Sequence, residues 1–179
     1  RTVVPETLHT VAFGSEVFPV KHLNAWRQVL PNARFINLYG PTEATGMSCY
    51  YVVDREFSEN DVIPIGRPFR NTDIILLTEE NKPAAPGEPG EICIRGTSLT
   101  LGYYRDFERT NEVFVQNPLN DLYPELIYRT GDIGRYNERG ELVFLSRKDY
   151  QIKHMGHRIE LDEIEAAVGR MDGIHNVCC

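Results

Sequence analysis

The sequence predicts an α/β unit, then a small β-barrel-like unit, then the opening of a small α+β unit. Three observations carry this. Strand, helix and strand signals follow one another between Leu8 and Tyr39, the order of an α/β segment. From Ile63 the texture changes to short strands separated by turn signals, the pattern of a small barrel or sandwich. From Asp149 it changes again, to a charged hairpin leading into a helix. The expected boundaries are therefore 1–60, 61–148 and 149–179.

Each element has a local reason. Leu8 to Phe13 is a short apolar run and reads as a buried strand, broken by Gly14-Ser15. Pro19 suits a helix start, and Val20, Leu23, Trp26, Val29 and Leu30 recur at helical spacing until Pro31-Asn32 ends them. Arg34 to Tyr39 reads as the next strand. Further strands are expected over Asp73 to Leu77, Glu91 to Arg95, Ile127 to Arg129, Ile133 to Tyr136 and Leu142 to Leu145, with a short helix over Phe107 to Val113. Asn81-Lys82-Pro83, Pro86-Gly87-Glu88-Pro89-Gly90 and Asn137-Glu138-Arg139-Gly140 supply the turns. Tyr150 to His154 and Arg158 to Leu161 read as a hairpin around Met155-Gly156. Asp162-Glu163 opens a helix through Ile164, Ala167 and Val168, with acidic residues where the helix dipole favours them. Gly173 closes it, and a strand is expected from Ile174.

Composition narrows the function. The 179 residues are 41% hydrophobic, enough for a core, and the net charge of −7 argues against a general nucleic-acid surface. No long apolar span suggests a membrane segment and no signal peptide suggests secretion. Cys49, Cys93, Cys178 and Cys179 have no metal-ligand spacing, and reduced thiols in a cytoplasmic protein are the simplest account. The absence of an initiating Met and the strand-like ending at Cys179 invite the view that this is a piece of a longer chain.

The chemistry concentrates in a few places. In Asn37-Leu38-Tyr39-Gly40-Pro41-Thr42-Glu43-Ala44-Thr45, glycine allows close backbone approach and proline fixes the turn. Tyr39 offers a flat face, Thr42 a hydroxyl for an anionic oxygen and Glu43 a hard oxygen ligand for Mg²⁺. Packed this closely they read as a nucleotide site; the alternative is an ordinary strand–loop turn. In Tyr128-Arg129-Thr130-Gly131-Asp132, a carboxylate after a glycine turn can accept two hydrogen bonds from a sugar diol, although a capped turn between strands has the same sequence. The alternation in Gly90-Glu91-Ile92-Cys93-Ile94-Arg95-Gly96 reads as structural. The dense charge from Ser146 to Glu165 reads as a solvated hairpin, or as a junction that both touches a ligand and pivots.

Taken together, the stretches NLYGPTEAT, GEICIRGTSLTLGYY, YRTGD and RKDYQIKHMGHRIELDEIE resemble, in order and spacing, those of the adenylate-forming superfamily. NLYGPTE and QIKHMGHRIELDEIE are most similar to its amino-acid-activating branch, the adenylation domains of non-ribosomal peptide synthetases. The resemblance implies that a carboxylate attacks the α-phosphate of ATP, giving an acyl-adenylate and pyrophosphate. The phosphopantetheine thiol of a carrier protein then takes the acyl group. It implies catalytic roles for Thr42 at the α-phosphate and for Glu43 as the Mg²⁺ ligand. It places Gly14, Ser15, Asn37, Tyr39, Gly40, Thr42, Asp132 and Arg147 at the nucleotide. Val11, Phe13, Leu38, Gly46 and Met47 match acyl-pocket positions, Asp149 the hinge between half-reactions, and Gly156 a loop facing the thiol arm. The first two units then form part of a large subdomain, and the third is the truncated start of a C-terminal one. The family's phosphate-binding loop and catalytic lysine have no counterpart here, so the chain by itself is expected to be inactive. Two other readings compete. One is a fragment of an acyl-CoA synthetase, disfavoured by Gln151 and the run from Arg158 to Glu165. The other is a non-catalytic β-rich interaction module, which would ignore ATP.

Overall fold

A computed structural model describes residue 5 and residues 7–149, 151–154, 157–171, 174 and 177–179. The first sheet is built from β1 (Thr10–Gly14), β2 (Arg34–Tyr39), β3 (Cys49–Val52) and β4 (Arg67–Pro68), in that spatial order. β1 and β2 are parallel, with Val11 opposite Phe35, and the helix α1 (Val20–Val29) joins them; the other neighbours are antiparallel. Val20, Leu23 and Leu30 drop into a cluster with Phe35, Tyr51 and Phe57. Trp26 and Val29, expected on the same helix face, are instead about half exposed. The expectation of a buried first strand is also corrected. β1 starts at Thr10, lies at an edge of the sheet and is only partly covered, and Leu8 lies outside it, exposed.

The second sheet contains β5 (Thr72–Leu77), β6 (Gly90–Gly96), β7 (Phe114–Gln116), β8 (Leu126–Tyr136) and β9 (Leu142–Arg147). All of its pairs are antiparallel. Among the described residues, no pairing joins β5 to β7 or β9. β6 is covered on both faces from Gly90 to Ile94, as a central strand requires. The helix α2 (Phe107–Val113) precedes β7 and is capped by the Asp106 carboxylate, which accepts from the Arg109 amide at 3.0 Å. Ile127 to Arg129 and Ile133 to Tyr136 were expected as separate strands. They are the two ends of the single strand β8, because the extra residues between them are absorbed as a bulge.

The sheets meet where the Ile65 and Gly66 amides donate to the Leu142 carbonyl and Leu142 donates back to Gly66. Cys49, Ile65, Leu76, Ile92 and Leu142 fill that joint. This junction sets the loop after β2 beside the middle of β8.

The third part is the hairpin β10 (Gln151–His154) and β11 (His157–Glu160), followed by α3 (Leu161–Val168). α3 starts one residue before the expected Asp162. Gly173, and the Met155-Gly156 turn expected between the two strands, lie outside the described residues. The strand expected from Ile174 is not present in the described part of that segment. Cys49 and Cys93 are buried free thiols, and Cys178 and Cys179 exposed ones. Among the described residues no helix is long and apolar enough to cross a membrane.

Candidate active site

The site begins with backbone. β2 runs out at Tyr39, and Gly40-Pro41 leads into a short 3₁₀ turn, Thr42–Ala44. The Ala44 and Gly46 amides both return to the Pro41 carbonyl, and Ser48 closes the loop on Tyr39 at 2.7 Å. A side chain at residue 40 would collide with the backbone of Gly46 and Ser48, so only glycine fits this close approach. The loop is pinned from outside as well: the Thr100 amide donates to the Glu43 carbonyl, and the Thr45 hydroxyl to Ser98.

Opposite lies the β8 bulge. β6 and β8 pair at Cys93–Arg129 and again at Glu91–Ile133, so three β8 residues face the single Ile92. Gly131 takes φ 73°, where glycine is favoured. The Thr130 hydroxyl donates to the Ile92 carbonyl at 2.7 Å and accepts from the Asp132 amide at 3.0 Å. Bulges of this kind re-aim a side chain. Here the carboxylate of Asp132 is carried toward the loop, where its Oδ2 accepts from the Tyr39 hydroxyl at 2.5 Å and its Oδ1 from Arg147 at 2.6 Å. Arg147 is also held by Asp149 through two hydrogen bonds of 2.6 Å, and Asp149 accepts from the Gln151 amide. One chain of contacts thus joins Tyr39, Asp132, Arg147 and Asp149. Burial pushes the Asp132 carboxyl above its ordinary pKa, against the opposing pull of Tyr39 and Arg147. Burial first, and then the Asp132 charge, raises the Tyr39 hydroxyl well above its usual range.

The hairpin supplies more cations. Lys153 and Arg158 are cross-strand partners and both reach the same cleft. The Lys153 pKa lies below its ordinary value because desolvation outweighs the attraction of Asp132. Arg158 donates to both oxygens of the buried Glu43 carboxylate, at 2.8 and 3.1 Å, and the Tyr103 hydroxyl donates to Glu43 at 2.5 Å. Burial pushes Glu43 up, but Tyr103, its own backbone amide and Arg158 outweigh that and leave it below the usual carboxylate value. Glu160 carries a further set of contacts, accepting from Gln151 and Arg109, while the Arg109 guanidinium lies 5.0 Å from the Tyr103 ring centre.

Two adjoining cavities result. The smaller, about 160 Å³, is lined by Ser15, Thr42, Asp132, Arg147, Lys153 and Arg158 among others, and is polar with an excess of cations. The larger, about 510 Å³, shares Asp132 and Arg147 but has apolar walls that include Val17, Phe18, Ile63 and Phe144. A slot with an apolar end and a cationic polar end suits a molecule that is apolar at one end and anionic at the other. Of the residues expected at the nucleotide, Ser15, Tyr39, Gly40, Thr42, Asp132 and Arg147 line the smaller cavity and Asn37 the larger. Gly14 sits against the Leu38 backbone between β1 and β2. Of the expected acyl-pocket residues, Leu38 lines the larger cavity, while Val11 and Phe13 pack on the α1 core. Gly46 and Met47 line neither cavity, and Met47 is exposed. Gly156 lies outside the described residues.

Sequence reasoning did not single out Lys153, Arg158, Tyr103 or Glu91. Two cations directly opposed in a hairpin are an unfavourable arrangement, and that placement at Lys153 and Arg158 was the available signal.

The chain belongs to the AMP-binding enzyme family, whose model matches residues 2–104. It is 38% identical over 165 residues to tyrocidine synthase 3 of Brevibacillus parabrevis, covering 92% of this chain and 2% of that protein. It is 36% identical over 159 residues to surfactin synthase subunit 1 of Bacillus subtilis, covering 89% and 4%. The structure of PA1221, a non-ribosomal peptide synthetase (NRPS) protein containing adenylation and PCP domains, superposes with a TM-score of 0.87 at 36% identity, over 96% of this chain and 34% of that one. The chain therefore spans a small part of the curated relatives it matches.

Proposed function

We propose that this chain is part of an amino-acid-activating adenylation enzyme, which joins a carboxylate to AMP with release of pyrophosphate and passes the acyl group to a carrier-protein phosphopantetheine thiol. The observation that carries the reading is the polar cavity in which Asp132 and Thr42 face Arg147, Lys153 and Arg158. In-line attack at phosphorus asks for positioning and charge neutralisation rather than covalent help from the protein. In this reading Asp132 accepts the ribose hydroxyls with Arg147 beside it. Tyr39 lies along adenine, with Asn37 and the Gly14-Ser15 backbone at its edge, and Gly40 and Thr42 meet the α-phosphate. Leu38 joins Val11, Phe13, Gly46 and Met47 as the acyl wall. Apolar walls and one glycine fit a small or medium uncharged side chain. Asp149 is the hinge, and Gly156 faces the thiol. The division at 60 and 148 into two parts of a large subdomain and the start of a small one belongs to the same reading. So does a cytoplasmic setting, supported by four free thiols.

Mg²⁺ suits Glu43. Among the described residues no three acidic, histidine or cysteine side chains cluster as a metal cage. Mg²⁺, however, commonly takes one or two carboxylates together with substrate phosphates and water. Glu43 offers one hard carboxylate, held here by Arg158 and Tyr103, which would take the cation in place of Arg158, and the metal would supply charge neutralisation at the phosphates. The kinship with peptide synthetases and with the adenylation and PCP protein PA1221 supports both the amino acid and the carrier partner. The test is ATP–pyrophosphate exchange by the full-length protein across a panel of amino acids. Exchange dependent on one or a few of them is expected; exchange with none, or formation of a CoA thioester in preference to a carrier-bound one, refutes the reading.

A further inference from the structure

We propose that Glu91 is a positioning residue for nucleotide recognition: it holds the β8 bulge in the one shape that points Asp132 at the ribose. The inference rests on Asp132 being the ribose ligand. Glu91 is a buried carboxylate on β6, and its two oxygens do different work. Oε2 accepts from the Arg129 guanidinium at 2.6 and 3.0 Å. Oε1 accepts from the Gly131 amide at 3.2 Å. A plain ion pair needs only the first contact. The second is made to the residue whose φ of 73° creates the bulge, one position before Asp132.

The surrounding hydrogen bonds explain why that contact matters. A bulge leaves backbone groups without ladder partners, and buried polar groups are costly when unpaired. The Asp132 amide is met by the Thr130 hydroxyl, and the Gly131 carbonyl accepts from the Lys148 amide at 2.7 Å. The Gly131 amide is met by Glu91. Gly131 is thus held on both sides: the N–H of the Thr130–Gly131 peptide by β6 through Glu91, and the carbonyl of the Gly131–Asp132 peptide by Lys148, the residue after β9. Arg129 extends the brace to the turn after β5, where it donates to Asn81 at 2.9 Å. If Glu91 is changed, the Gly131 amide loses its acceptor and the Thr130–Gly131 peptide, two bonds from the Asp132 peptide, is free to turn. The carboxylate of Asp132 then leaves the position set by Tyr39 and Arg147. Glu91 touches no nucleotide atom in this scheme and lines neither cavity.

The test uses the full-length protein and compares ATP with 2′-deoxy-ATP, which lacks one of the hydroxyls Asp132 would accept. Wild type is expected to prefer ATP, and Asp132→Ala to lose the preference. Glu91→Gln keeps the shape but sets an NH₂ group against a donor. Glu91→Asp keeps the charge for Arg129 but stops short of the Gly131 amide. Each is expected to lower the ratio of kcat/KM for ATP over 2′-deoxy-ATP by about tenfold, the size of the one further hydrogen bond to a charged group that only ATP loses, while 2′-deoxy-ATP, which keeps the other hydroxyl, loses less than ATP but remains a measurable substrate. The retained use of 2′-deoxy-ATP reports that a variant is folded, and the folded Glu91→Asp variant decides the matter, since the glutamine carbonyl can still meet the Gly131 amide. An unchanged ratio, or equal losses for both nucleotides, overturns the role of Glu91. A wild type without preference, or an Asp132→Ala that keeps it, overturns instead the ribose assignment on which this inference stands.

Discussion

At the scale of single residues, the Glu43–Arg158 pair joins the hairpin to the loop after β2. Glu43 has its pKa depressed in the folded protein, so its contribution to stability is present above the ordinary carboxylate pKa, roughly 4.3, and is lost as pH falls through the lower folded value. Arg158 stays charged across that range. We expect Arg158→Met to cost about 1–2 kcal/mol near neutral pH, less than a fully buried pair because Arg158 is partly in solvent. The difference from wild type should shrink as pH drops below the carboxylate range. Denaturant unfolding of both proteins at several pH values measures it. A difference that grows on acidification would remove Glu43 as the partner that matters.

At the scale of elements, β9 ends on the partner of Asp132 and leads to the proposed hinge at Asp149. Arg147 at the end of β9 grips Asp132 on one side and Asp149 on the other. Asp149→Pro fixes φ near roughly −65° at the proposed hinge and should impair one half-reaction far more than the other. Asp149→Ala, which removes the grip without stiffening the chain, should affect the two more evenly. Measuring adenylate formation and carrier loading separately distinguishes them, and equal losses in the proline variant would argue against a pivot. The elements themselves were mostly legible in the sequence. The spans of β2 and α2, and the paired strands of the hairpin, follow from local pattern and punctuation. β3, β4 and β7 were not foreseen. They are short, and each pairs with an adjacent strand in the chain across a long loop rather than a tight turn, so no hairpin signal marks them. The same limit applies to the site. Tyr39, Thr42 and Asp132 announced themselves through glycine turns. Glu91 sits in a run that alternates like any buried strand, and nothing local reveals that its partner is the Gly131 amide.

At the scale of the whole molecule, the two sheets and the hairpin each contribute one wall of the cleft, and none holds it alone. Ser15 and Thr42 come from the first sheet, Asp132 and Arg147 from the second, and Lys153 and Arg158 from the hairpin. The chain spans 34% of PA1221, and in the reading we propose the phosphate-binding loop and the catalytic lysine are supplied by other parts of the protein. We therefore expect the isolated 179-residue chain, supplied with Mg²⁺-ATP, amino acids and labelled pyrophosphate, to give no amino-acid-dependent exchange. Each preorganised donor missing at the reacting phosphate is worth on the order of 3 kcal/mol of transition-state stabilisation. Robust exchange by this chain would mean that the machinery from Arg1 to Cys179 is sufficient.

The face-to-face placement of Lys153 and Arg158 has a consequence for how the hairpin holds together. Two like charges opposed across a strand pair push the strands apart, by a few tenths to about 1 kcal/mol. Relief comes chiefly from Asp132 and Glu43, which lie on other elements, beside a longer contact of Arg158 with Glu160 on its own strand at 3.5 Å. Cut out as a peptide, the segment would keep its repulsion and, of these counterweights, only Glu160. Its folded shape is therefore borrowed from the body of the protein, and a phosphate-bearing guest in the cleft would act as a second lender.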